Sequence, residues 1–373
     1  MLCRLDAIAL ALLWTEQAGA RPARRDDPVP RAGMLPAGLR LCDVGTLEEA
    51  IARPGAEDGS GAPAGLVAAL RARARRADAD AGAAGLALIA FGDPAYPDLL
   101  SQIADPPPAF WVAGSLPPHT ARVAIVGSRT ATPHGLEMAF RLGEGLTRAG
   151  ICVVSGLARG VDGAAHRGAL RGGGPTIAVL GCGADVSYPR EHAALAAEIA
   201  KQGAVLSEFA PGTPPRGWHF PRRNRLISGL CAGVVVVEAS DHSGSLITAR
   251  CALAQGRDVL AVPSGVLSGR NRGAHGLLKD GAAIVEGVED ILQALEYTAP
   301  ECGASEDMTK HSAPEAWVRA MVEAEPYDLE ALCSLSGLEP VRLLARLSRL
   351  ELAGWIRRNE GGRFVKVAGN VLR

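Results

Sequence analysis

The chain has 373 residues, with 39 Lys+Arg against 40 Asp+Glu. At about 100–200 residues per domain, that length suggests two or three domains, and an apolar fraction of 48% excludes wholesale disorder. A net charge of −1 excludes a uniformly basic protein but leaves room for a local basic site.

Aromatics are only 4%, so Ala, Leu and Val must fill the core. The eight cysteines include no CxxC clip, and several interrupt apolar runs, as in Ile151-Cys152-Val153-Val154. They read as small buried hydrophobes in a reducing compartment, with no metal site expected. No apolar stretch reaches the roughly 20 residues needed to span a membrane. The run Ile8 to Trp14 is short and only one basic residue precedes it, so it is not read as a signal peptide. The expected location is the cytoplasm, with no membrane partner.

Residues 1–85 are Ala/Arg-rich, with turn-formers at 21–38 and 53–65 and an amphipathic helix over Leu66 to Arg76. From Leu86 short β-rich runs recur: Leu86–Ala90, Phe110–Ala113, Val123–Val126, Ile151–Val154, Thr176–Leu180, Ala204–Leu206, Val234–Val237, Val259–Val262 and Ala283–Val285. Most are unbroken apolar runs, the pattern of strands buried on both faces. Helical patterns at Leu136–Ala149, His192–Lys201 and Leu246–Gln255 separate several of them. The alternation argues for a doubly wound α/β domain over 86–297. Residues 298–314 read as a linker. Glu315–Ala324, Leu329–Ser336 and Val341–Leu352 read as three helices, followed by a hairpin, Trp355–Arg358 and Arg363–Val367, around a Gly-Gly turn. Three helices and a hairpin over 315–373 make a winged-helix pattern, a module that binds DNA or protein. Charge is segregated: residues 120–230 hold 13 Lys/Arg and 7 Asp/Glu, and residues 286–330 hold 12 acids and 2 bases.

Three strand-to-helix turns carry potential chemistry. Gly127-Ser128-Arg129 follows the Val123–Val126 strand, and backbone N–H groups there favour anions. Arg129 adds a planar, bidentate phosphate contact. The turn is not GxGxxG, so no dinucleotide cofactor is expected. Ser155-Gly156-Leu157-Ala158-Arg159-Gly160-Val161-Asp162 repeats the design. Its Arg159 can reach a phosphate, Asp162 is expected to cap the helix or hold Arg159, and His166 reads as a packed helix residue. Ser243-Gly244-Ser245 follows a third strand, and Glu238 is placed to pair with an arginine of the basic stretch. That stretch, Thr213 to Arg225, is the most informative. Four arginines (Arg216, Arg222, Arg223, Arg225) fall within ten residues, interleaved with Trp218, His219 and Phe220. Prolines suggest a stiff loop. Cations for a backbone and rings for bases suit single-stranded nucleic acid; of the two large rings, Phe220 is expected in the core.

Together these motifs resemble the DprA/Smf family of DNA-processing proteins. The match is carried by Gly127-Ser128-Arg129, Ser155 to Asp162 with His166, Gly181-Cys182-Gly183 with Tyr188-Pro189, Ser207-Glu208, His219 to Arg225, Glu238-Ala239, Ser243-Gly244-Ser245 and Val262-Pro263, in unbroken order over about 93–290. The resemblance implies an extended Rossmann-like, parallel or mixed sheet with an N-terminal helical, sterile-alpha-motif-like domain and a C-terminal winged helix. It implies a non-enzymatic protein that binds single-stranded DNA without cofactor or metal, forms a homodimer and loads the recombinase RecA. It assigns DNA contact to Arg129, Arg216, Arg223 and Arg225. Adding the turn residues and rings gives Gly127, Ser128, Ser155, Gly156, Arg159, Trp218, Phe220, Asn224, Ser243 and Gly244 as further candidate contacts. His275 departs from the family, which usually has Asn there. The alternatives are a nucleotide-binding enzyme of the nucleoside-monophosphate phosphoribohydrolase kind and a duplex-binding transcription factor. The first needs an acid directly after the Ser243 turn, which Ser245-Leu246-Ile247-Thr248-Ala249 does not supply.

Overall fold

The structure is a computed structural model. It describes residues 3–19, 46–47, 64–118, 120–267 and 269–297, and, further on, residues 329, 332, 343–344, 347, 351, 356–358 and 364–366. The expected helix Glu315–Ala324 and the expected linker lie outside the described residues. The chain divides into two units, Met1–Ala299 and Pro300–Arg373.

The first unit is built on a nine-stranded sheet. Its strands are β1 (Ala87–Ala90), β2 (Ala109–Gly114), β3 (Arg122–Val126), β4 (Cys152–Ser155), β5 (Thr176–Val179), β6 (Ala204–Ser207), β7 (Gly233–Val236), β8 (Asp258–Ala261) and β9 (Ala283–Ile284). The spatial order is β1-β2-β6-β5-β4-β3-β7-β8-β9. From β6 to β9 every pairing is parallel, whereas β2 runs antiparallel to β6 and β1 antiparallel to β2. The chain thus winds outward from β3 to β6 and then returns to place β7 on the other side of β3.

The helices that connect these strands follow from the apolar faces they must cover. One side of the sheet, with Val123, Ile125, Val153, Val235 and Leu260, packs on α4 (Pro133–Arg148), α5 (Val161–Arg171) and α10 (Val288–Ala294). The alternate residues Ala124, Val126, Val154, Ile177, Val179, Val234 and Val236 meet α7 (His219–Gly229) and α8 (Ser245–Ala254). The short α3 (Asp98–Ser101) joins that second face through Leu100. On the antiparallel margin, α1 (Arg4–Gly19) and α2 (Ala64–Ala83) cover Leu88 of β1 and Trp111 of β2. Ile8, Leu10 and Trp14 are buried there, so the N-terminal apolar run belongs to a packed helix. Two helices complete the unit: α6 (Ala193–Gln202), entered through a 3-10 turn at Arg190–His192, and α9 (Arg272–Lys279). No described helix is long and apolar enough to cross a membrane.

In the second unit, residues 329, 332, 343, 344, 347 and 351 are helical. The hairpin β10 (Ile356–Arg358) and β11 (Phe364–Lys366) is antiparallel, with Arg357 opposite Val365.

The stretch expected as a stiff arginine loop is helical from His219 onward. Pro221 sits in the first turn of α7, where a missing N–H costs no intrahelical bond. That helix carries its arginines inward. Glu208, just past β6, is buried and accepts from Nε and Nη2 of Arg222, each at 3.1 Å, and from Nη2 of Arg225 at 2.5 Å. Arg225 also contacts Asp105 through a carboxylate oxygen at 3.2 Å and through its carbonyl at 2.6 Å. Arg222 donates to the carbonyl of Trp14 at 2.6 Å, tying α1 to the same cluster. Burial alone would raise the Glu208 carboxyl, but the two guanidinium groups outweigh it and hold the pKa down to about 2.

Removing Arg225 leaves Glu208 half-compensated, so Arg225→Ala is expected to cost about 3–5 kcal/mol of stability, read as a fall in Tm on thermal unfolding. The contribution of Glu208 is fully present above the ordinary carboxylate range and is lost as pH falls toward about 2; urea midpoints measured between neutral and strongly acid pH should trace that loss and show a smaller one in the Arg225→Ala variant, where Arg222 alone remains.

Candidate nucleic-acid interface

The C-terminal ends of β3, β4 and β5 open onto one cleft, the edge at which ligands bind open α/β sheets. It is lined by Arg129, Gly156, Ala158, Arg159, Leu180, Gly181, Tyr188, Pro189, Phe220 and Arg223. Three turns and one helix supply these residues.

After β3, the chain passes through Gly127-Ser128-Arg129 to α4, whose N-cap Thr132 accepts from the Gly135 N–H at 3.1 Å. The anion position at this helix start is already filled. Glu238, at the end of β7, accepts from the Thr132 N–H at 2.9 Å and from the Thr132 hydroxyl. Glu238 therefore bridges the point where β3 and β7 diverge and does not pair with α7, contrary to the expectation from sequence. Arg129 remains exposed.

The turn after β4 is filled in the same way. Asp162 is buried and its Oδ2 accepts from the Gly156 and Ala158 N–H groups at 3.1 and 3.3 Å. Burial pushes its carboxyl up, and the nearby Arg223 charge together with those two bonds pulls it back. Asp162 thus holds the backbone of the turn and not Arg159. Leu157 adopts φ 55, an unusual backbone for a branched residue, and is held there by the His192 ring, whose Nδ1 lies 3.0 Å from its carbonyl. The two turns interlock at Gly160. Its φ is 74, and a Cβ there would stand 2.2 Å from the Ser128 carbonyl oxygen. Arg159 points to the cleft mouth and forms a bidentate pair with Glu191 at 2.5 and 2.7 Å.

Helix α7 closes the far side. Phe220 is half-buried, with its ring 5.5 Å from Tyr188 and with the Arg129 guanidinium 5.4 Å above its face. Arg223 is 4% exposed; its Nη1 donates to the Val179 carbonyl at 2.5 Å, and its guanidinium lies where a Cβ on Gly156 would be. Burial lowers its pKa to about 10, so it stays charged at neutral pH.

The structure brings five of the residues expected at the site, Arg129, Gly156, Arg159, Phe220 and Arg223, onto one cleft. Others it places elsewhere. Arg225 is wholly enclosed, 0% exposed, in the ion pairs with Glu208 and Asp105, and has no face toward solvent. Ser155 is buried with its hydroxyl on the Ile125 carbonyl. Asn224 donates to the Gly244 carbonyl at 3.2 Å and thereby braces the third turn, in which Ser243 and Ser245 bond each other. The core ring of α7 is His219, stacked 4.0 Å from Phe209, whereas Phe220 and Trp218 are both half-buried. Arg216 is exposed just ahead of α7. Tyr188 and Glu191 were missed by sequence reasoning as site residues. The Tyr188-Pro189 pair beside the Gly181 turn was the available signal for the first; nothing local signals Glu191.

His166 is buried, with Nδ1 at 2.8 Å from the Thr176 hydroxyl, which itself donates to the Val153 carbonyl. The ring nitrogen must then donate, fixing the Nδ1–H tautomer, and burial lowers the pKa to about 3. Among the described residues no group of three or more His, Cys, Asp or Glu side chains is placed to hold a metal ion.

Residues 87–296 match the family model described as DNA recombination-mediator protein A, and residues 304–362 match the DprA winged helix domain. The chain belongs to the DprA/Smf family. Protein Smf of Escherichia coli is 42% identical over 276 residues, 72% of this chain and 74% of that one. The X-ray structure of DprA from Streptococcus pneumoniae aligns at a TM-score of 0.56 and 39% identity, covering 62% of this chain and 83% of that chain. The Helicobacter pylori DprA structure, which describes that protein's single-stranded DNA binding mode, aligns at 0.51 and 28%, covering 57% and 95%. The winged helix read from the C-terminal pattern is thus a DprA/Smf domain, and the mixed, mostly parallel sheet is that of its DprA relatives.

Gly160→Ala is expected to force the Ser128 and Arg159 turns apart. It should cost roughly 1–3 kcal/mol for the strained backbone alone, seen as a lower Tm with altered amide shifts at both turns. A histidine nitrogen NMR titration should find His166 neutral and Nδ1-protonated down to about pH 4. Because the unfolded ring protonates first, this site should lower stability as pH drops from about 6.5.

Proposed function

We propose that this DprA/Smf chain binds single-stranded DNA along the cleft at the ends of β3, β4 and β5. The observation that carries the reading is the cluster of Arg129, Phe220 and Tyr188: a guanidinium over one ring face with a second, tilted ring beside it. A phosphodiester supplies the charge that Arg129 lacks, and a base supplies a flat partner for the rings. Arg223 adds a fixed positive charge from the cleft floor, and exposed Arg216 extends the cationic path. Its Helicobacter pylori relative binds single-stranded DNA. The remaining expectations travel with the family resemblance: a cytoplasmic homodimer, with no cofactor, that loads the RecA recombinase on the bound strand.

The cleft favours binding over catalysis. Asp162 is spent on two backbone N–H groups and His166 on Thr176. Glu191 is bound to Arg159. None of the three is poised to take a proton from a substrate, as a general base must be.

Anisotropy of a labelled oligo-dT, titrated at about 50 and about 200 mM salt, tests the reading. Arg129→Ala should weaken binding about tenfold and flatten the salt slope by about 0.7, the share of one single-strand phosphate. Its Tm should be unchanged, since the side chain is exposed. Arg216→Ala should show a smaller loss of the same kind. Unaltered affinity in both variants rules the cleft out.

A further inference from the structure

One cation at the cleft mouth is already neutralised. Arg159 and Glu191 meet fork to fork, with Nε and Nη2 of the arginine on the two carboxylate oxygens at 2.5 and 2.7 Å. Each is about half or more exposed, 64% and 50%. Water and salt therefore reach the pair, and such exposed pairs hold weakly.

The backbones that present the two charges are fixed on both sides. Asp162 grips the turn before Arg159 through two N–H groups. Gly160 lies tight against Ser128 behind it, and Val161 donates to the Ser128 carbonyl at 3.1 Å. On the other side, the His192 ring bonds the Leu157 carbonyl, so the 3-10 turn that carries Glu191 is pinned to the Arg159 turn. The charges are thus brought back together whenever they part. Arg129 and Arg223, the other two arginines of the cleft, have no ion-pair partner among the described residues. The asymmetry is local to Arg159.

A carboxylate and a phosphodiester offer the guanidinium fork the same pair of oxygens. We infer that Glu191 sets the affinity of the cleft by competing with the DNA phosphate for Arg159, so that a strand seated on Arg129 must displace the carboxylate before it gains a third arginine. This rests on the cleft being the single-stranded DNA site. It makes Glu191 a built-in weakener, a residue whose removal improves binding. Glu191 is not among the residues that line the cleft, so it acts on the strand through Arg159.

The test is a double-mutant cycle on the full chain with labelled oligo-dT across a salt series. Glu191→Gln, which keeps the shape and removes the charge, should tighten binding roughly three- to tenfold at low salt and steepen the salt slope by about 0.7. Arg159→Ala should weaken binding less in the unmodified background, where Glu191 already occupies that arginine, than in the Glu191→Gln background, where it should erase the gain. Thermal unfolding of all variants should coincide. If the unmodified protein binds and Glu191→Gln changes neither affinity nor slope, the inference is overturned and the cleft stands. An Arg159→Ala loss of equal size in both backgrounds also overturns it, because Arg159 would then contact DNA without competition. If the unmodified protein shows no salt-dependent binding, the reading of the cleft falls and takes this inference with it.

Discussion

Glu208 sits past the end of β6 without access to water, and it stays ionised because Arg222 and Arg225 close on it from consecutive turns of α7. Residues three apart on a helix share a face. Fixing 222 and 225 inward fixes the rotation of the helix, and the other such pair, Phe220 and Arg223, is then turned toward the cleft. A neutral core would have packed α7 as tightly, but it would not have locked its rotation with directional bonds. The same cluster reaches Trp14 of α1 and Asp105 ahead of β2. The antiparallel margin, its helical cover and the cleft wall are therefore fastened at one buried carboxylate.

Two more carboxylates decide what kind of anion site the sheet edge can be. Strand-to-helix turns usually offer backbone N–H groups to a phosphate. Here Glu238 takes the Thr132 N–H and Asp162 takes those of Gly156 and Ala158. Those N–H groups are thereby taken, and the cationic character of the cleft rests on the arginine side chains that line it. Guanidinium groups on such turns suit a polymer whose register is not specified, since each contact is to a phosphate and not to a base edge.

The sheet was legible in the sequence because its signal is local. The nine β-rich runs became nine strands, with ends displaced by a residue or so, and all but the exposed edge strand β9 are largely buried. The turns at Arg129 and Arg159 were legible for the same reason. The roles of the α7 arginines were not. Four guanidinium groups among three rings, with prolines in the stretch, read as a stiff loop, although a proline is at home in a first helical turn. Which arginine points outward depends on Glu208, fourteen or more residues away, and on Asp105, 120 residues from Arg225. Glu238 likewise found Thr132, 106 residues before it, and not the nearby arginines. Partners separated so far in sequence leave no periodic trace, so the division between arginines that build the fold and arginines that face the cleft appears only once the chain is folded.

An unpaired strand seated in the cleft, as proposed, sets a base against the Tyr188 and Phe220 rings. Photo-crosslinking an oligonucleotide carrying 5-bromodeoxyuridine to the full chain, followed by peptide mapping, addresses it directly. Adducts are expected on the peptides that contain Tyr188 or Phe220, suppressed by excess unlabelled oligo-dT. Efficient, competable adducts confined to other parts of the chain, with none on those two peptides, would contradict that placement.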